Sequence, residues 1–201
     1  PPRSTLFPYT TLFRSRKWVL TGANSDYMLG SFDGEAFRPE TPMLKGHRGK
    51  GFYAAQTFSD IPPEEDRRIQ IGWLQAPSPG MPFNQAMSLP LELTLRPTPD
   101  GPRIAWRPVR ELRSLRQSSH ELGPHVIGPG APNPLAKLSA EFVELRARFE
   151  AGAAAGGTFN VGGVTVTTDL AKGALAVGRH RAPAPLRAGA GEISVHPEWT
   201  G

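Results

Sequence analysis

In the run MSLPLELTLR (87–96), Leu91, Leu93 and Leu95 alternate with Glu92, Thr94 and Arg96. A period of two places the three leucines on one face and the polar side chains on the other, which describes a β-strand with one side against a core. The same kind of run recurs as KWVL, YMLGSF, GFYAAQTFSD (51–60), RRIQIGWLQ (67–75) and PRIAWRP. Between these runs stand residues that turn the backbone: TGANSD, the pair Asp33-Gly34, IPPEED, the loop APSPGMPFNQ (76–85) and PTPDG (97–101). Glycine accepts positive φ, and paired prolines cannot continue a strand ladder. Residues 17–107 therefore read as a meander of six or seven antiparallel strands with no helix. The 22 glycines and 22 prolines among 201 residues belong to such turns, and 38% hydrophobic residues suffice for a folded core.

Near residue 108 the pattern changes. In PVRELRSLR, Val109, Leu112 and Leu115 recur every third residue after Pro108, so a short helix is expected there. The stretch 118–134, SSHELGPHVIGPGAPNP, is dense in proline and glycine and reads as a connection, giving a helix-and-linker segment over 108–134. From Leu135 a second β region follows, with TFNV, VTVTT, ALAV and EISV as strands and RAPAPLRAGAG as a loop. One segment is ambiguous: Leu135, Leu138, Phe142, Leu145 and Phe149 have helical spacing, whereas Val143, Leu145, Ala147 and Phe149 alternate with Glu144, Arg146 and Arg148 like a strand.

The formal charge of +5 points at first to an acidic partner, but Arg3, Arg14 and Arg16 supply three of those charges within the first sixteen residues. That stretch, PPRSTLFPYTTLFRSR, is not a secretory signal, because Pro8 and Tyr9 interrupt any apolar run. It resembles translated sequencing adaptor, and residues 1–16 are expected to be non-native. The remaining basic residues are scattered rather than gathered with aromatics into a stripe, so no nucleic-acid partner is expected. No apolar run is long enough to span a membrane, and no membrane partner is expected.

The absence of cysteine removes disulfides and thiol catalysis. The histidines at 47, 120, 125, 180 and 196 have no metal-ligand spacing, and neither a metal nor another cofactor is expected. There is no GxSxG elbow and no phosphate loop; GHRGKG (46–51) lacks a following helix and reads as a solvated loop. Among Asp26, Asp33, Asp60 and Glu92, no spacing selects a catalytic pair.

Several strings together are informative where single motifs are not. KWVL…YMLGSFDG, GFYAAQTFSDIP, RRIQIGWLQ, MPFNQAMSLPLELTLR and PDGPRI…PVREL, in this order and spacing, resemble the later part of the catalytic domain of glycoside hydrolase family 32, the levanase, inulinase and invertase group. SAEFVELRARFE, GTFNVGGV and HRAPAPLR…ISVHPEWTG resemble the start of that family's C-terminal β-sandwich. The resemblance implies an all-β chain: the last blades of a five-bladed β-propeller over 17–107, then the linking helix, then part of a β-sandwich over 135–201. It also implies a strand for the ambiguous segment at 140–150.

By the same resemblance the whole protein cleaves β-fructosidic bonds in fructans or sucrose by a retaining double displacement, and is secreted or periplasmic. The family's three carboxylates sit in WMNDPNG, RDP and E-C motifs, none of which is in this sequence. The 201 residues are thus expected to be an inactive fragment with a fructan- or sucrose-type carbohydrate as partner and no catalytic residue of its own. Nothing in the sequence speaks to oligomeric state. Trp73, in IGW, matches a family aromatic at the sugar funnel, where an indole covers a fructose face; the alternative is a packed core tryptophan. Tyr53 and Gln56 lie in the strand facing the funnel, with packing as their alternative role. Gly51 stands where many members carry Asp or Asn, and Leu91-Glu92 where many carry Arg-Glu, which leaves Glu92 without that arginine. A reading from a different class is a non-catalytic carbohydrate-binding or interaction module built on the sandwich.

Overall fold

The computed structural model describes residues 5–9, 17–47, 49, 51–128, 130–139, 143–150, 154–161, 163–184 and 190–195, with side chains left undescribed at 5–9, at 63 and at 190–195. The chain divides into two compact units, Pro1–Leu112 and Arg113–Thr200. All sheet pairings are antiparallel.

The first unit holds two sheets. One runs in the order β1 (Thr5–Tyr9), β2 (Lys17–Thr21), β3 (Tyr27–Phe32), β4 (Phe37–Pro39). β1 lies within the stretch expected to be non-native and pairs with β2 from Thr5↔Thr21 to Tyr9↔Lys17. The other sheet contains β5 (Phe52–Thr57), β6 (Ile69–Leu74), β8 (Leu91–Arg96) and β9 (Arg103–Pro108) in that order, with β7 (Ala86–Met87) also paired to β6. β2 to β9 make eight strands where six or seven are expected. The extra one is the two-residue β7, which Ser88–Pro90 separate from β8.

Alternation does what the sequence implies. Leu91, Leu93 and Leu95 are buried, while Glu92 and Thr94 are half-buried and Arg96 is exposed. Leu93, Leu95 and Ile104 of one sheet meet Val19, Tyr27 and Leu29 of the other in a single core, with Leu44 and Trp106 packed beside it. The tyrosine hydroxyl also accepts a 2.9 Å hydrogen bond from the Ile104 backbone N–H, satisfying a polar group at the centre of an apolar contact. A second cluster, Phe52, Ala55 and Leu91, lies under β5. Asp33-Gly34 turns the chain as expected, but through a four-residue loop: Phe32 pairs with Phe37, Gly34 has φ 105°, and Asp33 Oδ1 accepts from the N–H groups of Glu35 and Ala36.

The helix expected after Pro108 is a 3₁₀ turn, Arg110–Leu115. The every-third spacing that suggested it is the 3₁₀ period, and only Val109, at its start, is buried. A smaller 3₁₀ turn, Pro63–Glu65, occupies the proline-containing connection between β5 and β6.

The second unit pairs β10 (Leu145–Glu150) with β15 (Ala190–Val195), and builds a four-stranded sheet in sequence order from β11 (Gly156–Val161), β12 (Val164–Asp169), β13 (Ala174–Val177) and β14 (His180–Pro183). The ambiguous segment is therefore a strand from Leu145 onward, while residues 140–142 lie outside the described residues. β14 is a correction, since Arg181–Pro183 read as loop. Among the described residues it is an edge strand paired only with β13, where proline costs no ladder bond on the free side. The apolar side chains Phe159, Val161, Val164, Val166, Leu175 and Val177 share one face of this sheet by register, and Phe149 of β10 meets Phe159 with centroids 6.2 Å apart.

Candidate functional site

Strand β6 alternates buried Gln70, Gly72 and Leu74 with outward Ile69, Ile71 and Trp73. The inward face is closely fitted. A Cβ at Gly72 would lie 2.6 Å from the Phe52 ring, so only glycine leaves room for that phenylalanine. Gln70, 1% exposed, accepts a 3.0 Å hydrogen bond from Trp106 Nε1 through Oε1. The buried Ser88 receives the Gly72 N–H on its Oγ at 3.0 Å and returns its own N–H to the Gly72 carbonyl at 2.7 Å, which fixes β7 against β6.

On the outward face, Tyr53 of β5 stands directly across from Trp73, and Trp73 across from Met87 of β7. The two rings meet edge to face at 6.5 Å and 61°. Tyr53, Trp73 and Met87 are 42%, 40% and 58% exposed, values far above the core's. Gln56 joins them by a backbone irregularity. Tyr53 pairs with Trp73 and Gln56 with Ile71, so three steps on β5 match two on β6. Ala54 is the extra residue, with φ 49° in the left-handed region that costs a non-glycine residue of order 1–2 kcal/mol. Without this bulge, Gln56 would point into the core. The structure thus gathers all three sequence-derived candidates, Tyr53, Trp73 and Gln56, on one exposed face together with Met87, which the sequence does not single out because MSLPLELTLR reads as one strand.

A second cluster is electrostatic. The Arg67 side chain, 8% exposed, grips Glu111 with Nη1 and Nη2 at 2.7 and 3.0 Å, while Nη1 also reaches Glu65 at 3.1 Å and Nε reaches Glu92 at 3.3 Å. Hydrogen bonding from Arg67 pulls the Glu111 carboxyl down to about 2, and the Glu111 hydrogen bond in turn raises the arginine's pKa. Glu92 therefore has an arginine partner after all, supplied from the end of the β5–β6 connection. Residues 65, 67, 92 and 111 share no local spacing, so nothing in the sequence joins them.

Asp26 and Asp33 are occupied structurally. Burial raises the Asp26 pKa, but the hydrogen bond and charge of Lys45, with the Gly46 N–H and Asn24, outweigh it and hold the carboxyl low. The N–H groups of Gly46 and His47 donate to Asp26 Oδ1 and Ser25 Oγ, so these two donors of the glycine-rich loop are already spent on the protein. Asp33 is lowered chiefly by the backbone N–H groups of Ala36 and Glu35. Among the described residues, no group of three or more His, Asp or Glu is placed to hold a metal ion, and no helix is long and apolar enough to cross a membrane.

Residues 9–108 match the glycosyl hydrolases family 32 N-terminal domain. The chain belongs to glycoside hydrolase family 32. It is 33% identical over 153 residues to a levanase of Bacillus subtilis (strain 168), covering 67% of this chain and 23% of that protein. It is 36% identical over 97 residues to a sucrose-6-phosphate hydrolase of Zymomonas mobilis, covering 46% of this chain and 18% of that one. In fold it is similar to the crystal structure of an exo-inulinase from Aspergillus awamori, with TM-score 0.78 and 19% identity over 96% of this chain and 47% of that one. The chain thus spans about a quarter of the levanase and about half of the inulinase. The all-β family 32 architecture, propeller sheets followed by sandwich sheets, accounts for both units.

Proposed function

We propose that this chain is the part of a β-fructosidase that contributes binding surface rather than reacting groups. The observation that carries the reading is the exposed row of Tyr53 and Trp73, with Gln56 turned onto the same face by the Ala54 bulge. The levanase, sucrose-6-phosphate hydrolase and exo-inulinase to which it is similar indicate the substrate class, fructans and sucrose-type fructosides. A furanose ring has apolar C–H faces that an indole can cover, and hydroxyls that a neutral amide such as Gln56 can both donate to and accept from.

Retaining glycoside hydrolysis needs a carboxylate nucleophile and a carboxylic acid about 5–5.5 Å apart. Asp33 is committed to a turn, Asp26 to a lysine, and Glu92 and Glu111 to Arg67, and the three family motifs do not occur in these 201 residues. In this reading the whole protein performs the double displacement with carboxylates from outside this stretch. The test is to incubate the chain with levan, inulin and sucrose while titrating its tryptophan fluorescence. Saturable quenching that is lost in Trp73→Ala, with no fructose released above a heat-inactivated control, is expected. Fructose release, or a flat titration, overturns the proposal.

A further inference from the structure

The hairpin of β8 and β9 carries a charged face on the side away from the core. Its outward positions pair in three rows: Glu92 with Arg107, Thr94 with Ala105, and Arg96 with Arg103, the last pair before the turn. Directly opposed side chains in an antiparallel pair have Cβ atoms about 5 Å apart, and like charges placed so repel each other. Arg96 is exposed and Arg103 half-buried. Neither forms an ion pair with a carboxylate among the described residues. Asp100, in the turn over 97–102, pairs with neither, and Glu92, the one carboxylate in the three rows, is engaged by Arg67. Thr94 and Ala105, the row beside the two arginines, are short and uncharged and neutralise neither. The Arg103 guanidinium is also oriented, because its Nη1 donates to the Pro102 carbonyl at 2.9 Å. A guanidinium has five N–H donors, so most of that fork has no partner in the protein. Two such groups facing each other across one strand gap suit a single tetrahedral oxyanion. Its several oxygens accept charge-assisted hydrogen bonds from both, and a double negative charge neutralises the pair where a monocarboxylate would leave one cation uncompensated.

We propose that Arg96 and Arg103 form a binding site for a phosphate-type dianion, either the free ion or the terminal group of a small phosphate monoester. The site does not depend on the fructoside reading of Tyr53 and Trp73.

The experiment titrates the intact chain with inorganic phosphate by calorimetry at pH 8 and constant ionic strength, for the wild type, Arg96→Gln, Arg103→Gln and Arg107→Gln. Arg107 is the control for bulk charge: it lies on the same face, four residues from Arg103 or roughly 14 Å along the strand, and opposite Glu92. Wild type is expected to bind one phosphate saturably. Arg96→Gln and Arg103→Gln should each weaken it roughly tenfold, as loss of a charge-assisted hydrogen bond implies, and Arg107→Gln by less than about twofold. Glycerol phosphate in a parallel titration tells the two sources apart: tighter binding than inorganic phosphate assigns the site to the ester, and equal or weaker binding assigns it to the free ion. No saturable binding of either by wild type, wild-type affinity in Arg96→Gln or Arg103→Gln, or equal weakening by all three substitutions overturns the proposal. Thermal unfolding in phosphate-free buffer gives a second readout. Because Arg96→Gln relieves a like-charge opposition, it should keep or raise the Tm, and phosphate should raise the Tm of wild type but not of that variant. A lower Tm for Arg96→Gln without phosphate would make the arginine a support of the fold and overturn the proposal as well.

Discussion

The two units of this chain are built from the same kind of strand but are filled very differently. Residues 17–108 pack long side chains from two sheets into one contact: Tyr27, Leu29, Leu93, Leu95 and Val19 are at most 2% exposed. In the second unit, among the described residues, only Val166 and Thr168 are buried, and its strands carry glycine, alanine and threonine at many positions. The lesson is that alternation alone forms a strand, while the size of the inward side chains decides how much apolar area leaves water. The first unit is thus the rigid scaffold on which a strained feature such as the Ala54 bulge can be maintained.

This contrast predicts a graded set of effects. Leu93→Ala empties the contact between the two sheets and should cost about 2–5 kcal/mol, read by urea unfolding followed by tryptophan fluorescence; Trp18, Trp73 and Trp106 all lie in the first unit. A cost under 1 kcal/mol would remove the distinction between the units. Gly72→Ala drives a methyl group into the Phe52 ring and should cost about 1–3 kcal/mol in the same assay. It should also disturb Tyr53, next to Phe52, and so weaken sugar binding as well as stability.

Val166→Ala, the corresponding truncation in the second unit, should cost about 1 kcal/mol. Amide exchange of β11–β13 would report it, and a loss as large as that of Leu93→Ala would contradict the comparison. The smallest effect concerns pH. Glu111 has its pKa lowered from 4.5 to about 2, so the stability it contributes is present above pH 4.5 and is lost as the pH falls through about 2. Stability of the first unit should decline across that window, and Glu111→Gln should make the decline shallower. An identical slope in the variant would mean that the Arg67 cluster does not act on stability.

How much of this was legible in the sequence differs by interaction range. Period-two runs such as Leu91–Leu95 identify a strand and its buried face, because the signal is contained in neighbouring residues. The 3₁₀ turn at Arg110–Leu115 was visible as a spacing of three, but that spacing does not distinguish it from an α-helix over so short a length. β14 was hidden by Pro183, whose tolerance depends on an edge position that only the assembled sheet defines. The site was half legible: the strings around Tyr53, Gln56 and Trp73 pointed to it. Placing Gln56 beside Tyr53 requires a bulge that no residue type announces, since Ala54 has no special liking for positive φ. Met87 and the Arg67 cluster depend on pairing between segments far apart in the chain.

The central claim, that this chain holds fructosides without cleaving them, can be read in one nuclear magnetic resonance titration of the intact chain with an inulin-type oligosaccharide, observing the four indole N–H signals and the sugar together. The Trp73 indole signal, assigned by its loss in Trp73→Phe, should shift saturably while the oligosaccharide spectrum stays unchanged. A Trp73 signal that does not move, or the appearance of free fructose, would contradict the account.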